Sequence, residues 1–486
     1  MKKRKGEKVR RGVKGGGFRV LTEEKIREIH NRVLQVLEKK GVKIECKDAL
    51  NLLKENGCEI DFEKQTARIP GYLVEESIKK APSQVRLSGR DRENDIIMEL
   101  GRSYFGEGCG SMNVLEYGNT LREPKKEDLE SAARLGDALP NIDHVWGLYS
   151  LPDDPLLGLH ELDAVVSNTT KHCCILNWYG KDLIKKQIEM IRLVAGGEKE
   201  LRKKHLVTLY SEPMSPLIFG KDFTEAIIEW SNYNQPVIWY PAQKPGATSP
   251  VTLAGTLIQG FAESLGGNVI VQLNNPGNPF IAGVSPLTMD LRTGMNTYFS
   301  AETLLIQSAT AQLGEFYRIP IFGTGGCTNS YHLDTQMGVE ATLSLYGGVM
   351  GGQTLIHDIG MVGAGDAASL ELVTACDELI GMMKRMEKGI DVDEETTALD
   401  LIESMDYGED YLRSSHTRKH YKEEHFLPQL LKRVGMEDSK SKENTMMARA
   451  HEKKEKLLKE HEVEPLPEDV KKRIEEIIEE SKRLVR

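Results

Sequence analysis

The apolar positions of this chain change period near residue 103. Before that point the pattern is helical. In LTEEKIREIHNRVLQVLEKKG (residues 21–41) apolar side chains recur three and four apart, which predicts an amphipathic helix. Thr22 with Glu24 and Lys25 supplies a start signal and Gly41 a stop. IPGYLVEESIKKAP (69–82) reads as a short helix closed by proline, so residues 18–102 are expected to form an α-rich extension.

Beyond residue 103 eight short apolar runs appear, each fit for a buried strand. They are SYFGEG (103–108), HVWGLYSL (144–151), HCCILNWYG (172–180), HLVTLYSEP (205–213), QPVIWYPAQ (235–243), PFIAGVSP (279–286), IPIFGTGG (319–326) and GQTLIHDIG (352–360). Helical patterns fill the intervals, among them KKEDLESAARLGDALP, KDLIKKQIEMIRLVAGG, TSPVTLAGTLIQGFAESLGG and DAASLELVTACDELIGMMKRM. Strand–helix alternation of this kind implies βα units and a parallel sheet. Eight units over residues 103–388 match the typical ~250-residue size of a (β/α)8 TIM barrel, with a doubly wound open sheet as the alternative. Residues 389–486 are expected to form a C-terminal helical region. Its last helix carries Val470, Ile474, Ile477 and Ile478 on one stripe, to be packed on the barrel or on a neighbouring subunit.

Composition narrows the function classes. The net charge of −10 is uneven: the first 14 residues hold +7 and the remainder −17. Residues 1–17 read as a basic, solvated arm, and the acidic body argues against a nucleic-acid partner. No apolar run reaches the ~18 residues that span a bilayer, and no apolar segment follows the basic start as a secretory signal requires. Seven scattered cysteines without a CxxC pair fit a reduced cytoplasm better than a disulfide framework or a zinc ribbon.

In a barrel the chemistry sits at the C-terminal ends of the strands. Those ends present Glu107, Tyr149, Trp178, Tyr179, Glu212, Tyr240, Gln243, Ser285, the segment FGTGGCTNSYHLD (322–334), and His357 with Asp358. Aromatics recur here although they are only 6% of the chain, acidic groups stand among them, and no Lys or Arg appears before Lys244. Rings plus carboxylates describe a cage for a cation that cannot donate a hydrogen bond, such as a quaternary ammonium, at ~1–2 kcal/mol per desolvated contact. Core packing is the competing role for the same rings. The glycine-rich FGTGGCTNS lacks the endings of a P-loop or a dinucleotide turn, so its glycines serve close backbone approach to a ligand, with a phosphate loop as the minor reading. His357–Asp358 has no spaced companions for a metal site, and His416 with His420 lacks an HExxH pattern, so no metal is assigned.

With these motifs in place, the chain resembles the trimethylamine methyltransferase superfamily of corrinoid-dependent methyltransferases. The matching segments are GTGGCTNSYHLDTQMGVEA (323–341), NPGNPFIAG (275–283), CDELIGMMKRMEKGIDVDEETTALDLI (376–402), SHTRKHYKEEHFLPQLLKR (415–433) and PLPEDVKKRIEEII (465–478), covering nearly the whole chain. The resemblance implies a (β/α)8 barrel that passes a methyl group from an amine to the cobalt of a separate corrinoid protein. Archetypal members carry pyrrolysine near the residues that here read TNSYHLD. This chain has only standard residues there, which points away from trimethylamine and toward quaternary amines such as glycine betaine, proline betaine or carnitine. The resemblance leaves open which of Tyr331 and His332 stands at the pyrrolysine position.

The expected site therefore has Tyr331 and His332 as catalytic residues. Trp178, Tyr149 and Tyr240 form the cage, Glu212 faces the cation, and Gln243, His357 and Asp358 complete the substrate contacts. The chain lacks a DxHxxG pattern, so cobalamin is expected on the partner and no cofactor on this chain. A homo-oligomer is expected. The competing functions are demethylation of trimethylamine or another methylamine without pyrrolysine, a metal-dependent barrel hydrolase or lyase using His357, Asp358 and Glu212, and a non-catalytic quaternary-amine binder.

Overall fold

The computed structural model describes residues 10–178, 180–433, 435 and 445–484. The eight apolar runs become eight parallel strands: β1 (Arg102–Glu107), β2 (His144–Val145), β3 (His172–Leu176), β4 (Val207–Ser211), β5 (Val237–Trp239), β6 (Phe280–Ile281), β7 (Phe322–Thr324) and β8 (Leu355–Ile359). Neighbours in sequence are neighbours in space, and β8 pairs back onto β1. The circle closes between β6 and β7. There Ala282 donates to the Pro320 carbonyl at 3.0 Å and Phe322 to the Ala282 carbonyl at 2.8 Å. The sheet is a barrel, as the spacing implied, and not an open doubly wound sheet.

Each strand is followed by an outer helix: α1 (Lys126–Ala138), α2 (Leu157–Asn168), α3 (Lys181–Ala195), α4 (Lys221–Ser231), α5 (Leu253–Asn274), α6 (Ala301–Tyr317), α7 (Thr335–Gly351) and α8 (Leu370–Lys388). Most bury one stripe, but α5 is buried all round from Gly260 to Gln272. Its outer face lies under the N-terminal extension, whose helices Glu23–Gln35 and Gly71–Lys80 pack on it. A helix apolar on every face must be covered on every face, and this one accounts for the extension. The first helix starts at Thr22, whose hydroxyl accepts the Lys25 amide, and its helical turns end at Gly41. The extension also holds short strands, Val42–Ile44, Glu59–Asp61 and Thr66–Arg68, joined by Ile218–Phe219 from the β4 loop.

The end of the basic arm departs from the expected solvated tail. Val13–Lys14 pairs antiparallel with Ser103 and Arg102 of β1, and Val13 is 2% exposed. Gly12 and Gly15 permit this docking: a Cβ would lie 2.3 Å from the Ser103 carbonyl oxygen and 1.8 Å from that of Val349. Arg10 donates to the Ile142 carbonyl at 3.0 Å. The first nine residues lie outside the described residues.

At the floor of the barrel Lys171 is buried, its Nζ donating to the carbonyls of Gly136, Leu139 and Ile142 at 2.7, 2.6 and 2.7 Å. Three donors meet three carbonyl acceptors at the end of α1, so the ammonium caps that helix and fixes the α1–β2 turn. The last helix, Glu468–Ser481, buries Ile474, Ile477 and Ile478 against α3 and α2 of its own barrel. No helix among the described residues is long and apolar enough to cross a membrane.

Candidate active site at the barrel mouth

The strand ends enclose a cavity of about 220 Å³, walled by Tyr210, Glu212, Tyr240, Tyr298, His357 and Asp358. At ~30 Å³ per water it has room for about seven water-sized groups. Tyr210 and Glu212 reach it together because they stand two apart on one strand face. The Tyr210 phenol donates to Glu212 Oε2 at 2.8 Å, which fixes the carboxylate against the ring.

His357 and Asp358 are adjacent in sequence, and a regular strand would send them to opposite faces. A bulge resolves this. Ile356 pairs with Phe105 and Ile359 with Glu107, so two residues of β8 stand opposite Gly106 alone. Asp358 adopts a φ of +72°, a left-handed conformation that Asp tolerates better than most side chains. Both side chains thereby border the cavity. The Thr324 hydroxyl donates to Asp358 Oδ2, and the Tyr298 phenol lies 3.5 Å from Oδ1. His357 Nδ1 donates to the Gly323 carbonyl at 2.7 Å, and Nε2 lies 3.2 Å from Asp358 Oδ1. Because a carbonyl only accepts, Nδ1 is the donor in the bond to Gly323.

Beneath this pair lies an aromatic layer. Phe322 stacks on the His357 ring with centroids 4.1 Å apart and meets Tyr240 edge-on at 5.0 Å. Tyr210 lies 5.6 Å from Phe322, and Trp146 5.6 Å from His357. Gly283 makes room for it: a Cβ there would sit 2.6 Å from the Tyr240 ring. Burial raises the Tyr210, Tyr240 and Tyr298 phenols well above their ordinary range, so they stay neutral. Burial also raises the Glu212 carboxyl, opposed by the Tyr210 hydroxyl and by Lys244. Lys244 is shifted down by burial, opposed by Glu212 and Asp358. The field inside is thus bipolar: two carboxyl groups among π faces, with one ammonium nearby.

The expected site residues divide. Glu212, Tyr240, His357 and Asp358 converge on the cavity. Gln243 is fully buried behind it, its Nε2 donating to the Ser285 carbonyl at 3.0 Å. Trp178 is half-buried beside Gly110, with its indole N–H donating to Glu161 Oε2 at 2.8 Å. Tyr149 lines a separate 360 Å³ pocket with Arg122, Asp128, Glu371, His451 and Lys454. Tyr331 lies over Gly363 with its phenol donating to Asp366 Oδ2 at 2.5 Å, and His332 is exposed; neither lines the cavity. Tyr179 lies outside the described residues. The glycine loop spends its amides inside the protein: Gly325 donates to the His357 carbonyl at 2.9 Å and Gly326 to Ser344 Oγ at 3.0 Å. It is therefore packing for β8 and not a phosphate cradle. Its Asn329 accepts the Tyr298 amide at 2.7 Å and donates to the Asn296 carbonyl at 2.8 Å, holding the hairpin of Thr288–Asp290 and Met295–Thr297 that delivers Tyr298.

Sequence reasoning missed Tyr210, Tyr298 and Cys109 among the cavity walls and named Thr324 only within the segment 322–334. Tyr210 was recoverable from its two-residue spacing to Glu212. Tyr298 was not, because a long-range hairpin brings it in. Among the described residues no group of three or more His, Cys, Asp or Glu side chains is arranged to hold a metal ion.

Comparison with known proteins places this geometry. A family profile described as Trimethylamine methyltransferase (MTTB) matches residues 2–485. The chain is 32% identical over 481 residues to the trimethylamine methyltransferase MttB of Desulfitobacterium hafniense (strain DSM 10664 / DCB-2), covering 96% of this chain and 95% of that one. It is 28% identical over 444 residues to the glycine betaine methyltransferase of Desulfitobacterium hafniense (strain Y51), covering 91% and 92%. Among solved structures, the Methanosarcina barkeri monomethylamine methyltransferase (MtmB) aligns with a TM-score of 0.54 at 13% identity, over 91% of this chain and 89% of that one. At that identity the likeness supports the barrel fold alone.

Proposed function

Because the chain belongs to the trimethylamine methyltransferase family, we propose that it moves a methyl group from a quaternary amine of betaine or carnitine type to the Co(I) of a separate corrinoid protein. The observation that carries this reading is the bipolar, ring-walled cavity at the barrel mouth. A quaternary ammonium has no N–H to donate, so its recognition rests on π faces and carboxylates, and both meet here. The similarity to a glycine betaine methyltransferase over nine-tenths of both chains supports the same substrate class.

The chemistry asks little of the protein in proton transfer. The acceptor's Co(I) electron pair attacks the methyl carbon, the C–N bonding pair returns to nitrogen, and a neutral tertiary amine leaves without protonation. What remains is to align one N–CH3 bond with the acceptor and to exclude water. Asp358 and Glu212 would hold the ammonium, and the phenol rings would contact its methyl groups. Lys244 would face a substrate carboxylate, because it stands close enough to the cavity for Glu212 and Asp358 to act on its ammonium. The corrinoid enters on its own protein as co-substrate.

The test is product identification. The full-length protein, a Co(I) acceptor and methyl-labelled quaternary amines are followed by carbon NMR. Appearance of the matching tertiary amine, dependent on the acceptor, supports the reading. Unchanged substrate with every acceptor, or demethylation of trimethylamine alone, contradicts it.

A further inference from the structure

Three phenols wall the cavity at the barrel mouth, and their hydroxyls are committed differently. Tyr210 gives its proton to Glu212 Oε2 at 2.8 Å, and the Tyr298 hydroxyl faces Asp358 Oδ1 at 3.5 Å. The Thr324 hydroxyl is likewise spent on Asp358. Tyr240 stands apart. It is 4% exposed, and among the described residues no acceptor takes the proton of its buried hydroxyl. The Ser285 hydroxyl acts on the phenol oxygen as a donor, so the phenol's own proton is still there to give. Burial keeps that proton on the phenol. Buried donors are nearly always satisfied, and one left over in a cavity wall points to an acceptor on the ligand.

The strand ends fix the two hydroxyls together. Tyr240 follows β5, and its amide donates to the Ser211 carbonyl of β4 at 3.1 Å. Ser285 follows β6. Its amide donates to the Pro241 carbonyl at 3.0 Å and its carbonyl accepts Gln243 Nε2 at 3.0 Å, so the segment after Tyr240 holds Ser285 by both backbone groups. Lys244, four residues beyond Tyr240, carries its ammonium close enough for Glu212 and Asp358 to act on it.

A quaternary ammonium has no lone pair and cannot take the Tyr240 proton. The acceptor must lie elsewhere on the ligand, and two hydroxyls with an ammonium nearby favour an anionic oxygen over a neutral one. Asp358 and Glu212 make the opposite demand, for a cation. A ligand that meets both is a zwitterion. We propose that the Tyr240 hydroxyl, with Ser285 beside it, donates to the substrate carboxylate and makes the site select zwitterionic quaternary amines over simple cations. This rests on the quaternary-amine reading above and adds the residue that sets which end of the ligand faces Asp358.

The test is equilibrium binding to the full-length protein by calorimetry, without any corrinoid protein. The probes are glycine betaine, which has a carboxylate, and tetramethylammonium, which has none. The wild type should bind glycine betaine at least about tenfold more tightly, the worth of one hydrogen bond to a charged group. Tyr240→Phe should remove about tenfold of that preference, and Ser285→Ala should lower it in the same direction. Phenylalanine keeps the ring against Phe322 and gives up no internal acceptor, so the thermal midpoint should not fall. Equal affinity of the wild type for both probes overturns the proposal, and so does a preference kept within twofold in Tyr240→Phe. Should that variant fail to fold, a preference kept within twofold in Ser285→Ala overturns it instead. A wild type that binds neither probe overturns the quaternary-amine reading along with it.

Discussion

Asp358→Asn isolates the charge at the centre of the proposed cage. Asparagine is nearly isosteric and also tolerates the left-handed backbone, so the +72° bulge should survive. Its side-chain oxygen can still accept the Thr324 hydroxyl, which keeps the β7–β8 contact. What disappears is a negative charge beside a cavity only about 220 Å³ in volume, where a bound ammonium must come within ~5 Å of it. At an effective dielectric of ~20 that attraction is worth about 3 kcal/mol, or roughly a hundredfold in affinity at ~1.4 kcal/mol per tenfold. The assay is a substrate titration of methyl transfer, with calorimetric binding of the same amine as a control on uniform ground-state effects. The variant should lose about a hundredfold in kcat/KM with a thermal midpoint close to wild type. A kcat/KM within twofold of wild type, in a folded variant, would refute the placement of the ammonium against Asp358.

Further expectations rest on separate features. Lys244→Met should raise KM at least ~10-fold for carboxylate-bearing quaternary amines and leave choline, which has a hydroxyl instead, within about threefold; equal losses for both would remove Lys244 from carboxylate recognition. Gly283→Ala would drive a Cβ to 2.6 Å from the Tyr240 ring, costing about 1–3 kcal/mol by overpacking and cutting turnover, as thermal denaturation and rate assays can show. Lys171→Met strands three buried carbonyls at the end of α1 and should destabilise the barrel by about 3–5 kcal/mol in urea unfolding. Burial pushes Glu161 up to about 8, opposed by the Trp178 indole N–H and the Leu176 amide. Its stabilising share is therefore complete below the ordinary carboxyl range and is lost as pH rises through about 8. Glu161→Gln should flatten the fall in stability between pH ~5 and ~8; an unchanged slope in denaturant titrations would contradict this.

How much of this was legible in the sequence follows from the range of the interactions involved. All eight strands were readable because parallel strands buried on both faces are continuous apolar runs, and the intervening helices carry their own period. The covered helix α5 and the Thr22 to Gly41 helix were readable for the same local reason. The docking of residues 10–17 was not, because Gly12 and Gly15 owe their role to carbonyls of Ser103 and Val349 far along the chain. At the site, Glu212, Tyr240, His357 and Asp358 were found because strand ends in a barrel all face one mouth. Tyr210 was passed over although it shares a face with Glu212. The simultaneous inward aim of His357 and Asp358 depends on a bulge that no local pattern announces. Tyr298 arrives on a hairpin anchored by Asn329, a residue 31 positions away. The TNSYHLD segment thus holds the hairpin that carries Tyr298 through Asn329, while Tyr331 and His332 lie apart from the cavity.

The most direct measurement of the central claim is the visible spectrum of a Co(I) corrinoid mixed with the purified protein and one methylated amine at a time. The account predicts growth of methyl-Co(III) absorbance with a carboxylate-bearing quaternary amine, none with trimethylamine, and loss of the signal in Asp358→Asn. Methyl-Co(III) formed from trimethylamine and from no quaternary amine, or formed equally well by the Asn variant, would contradict it.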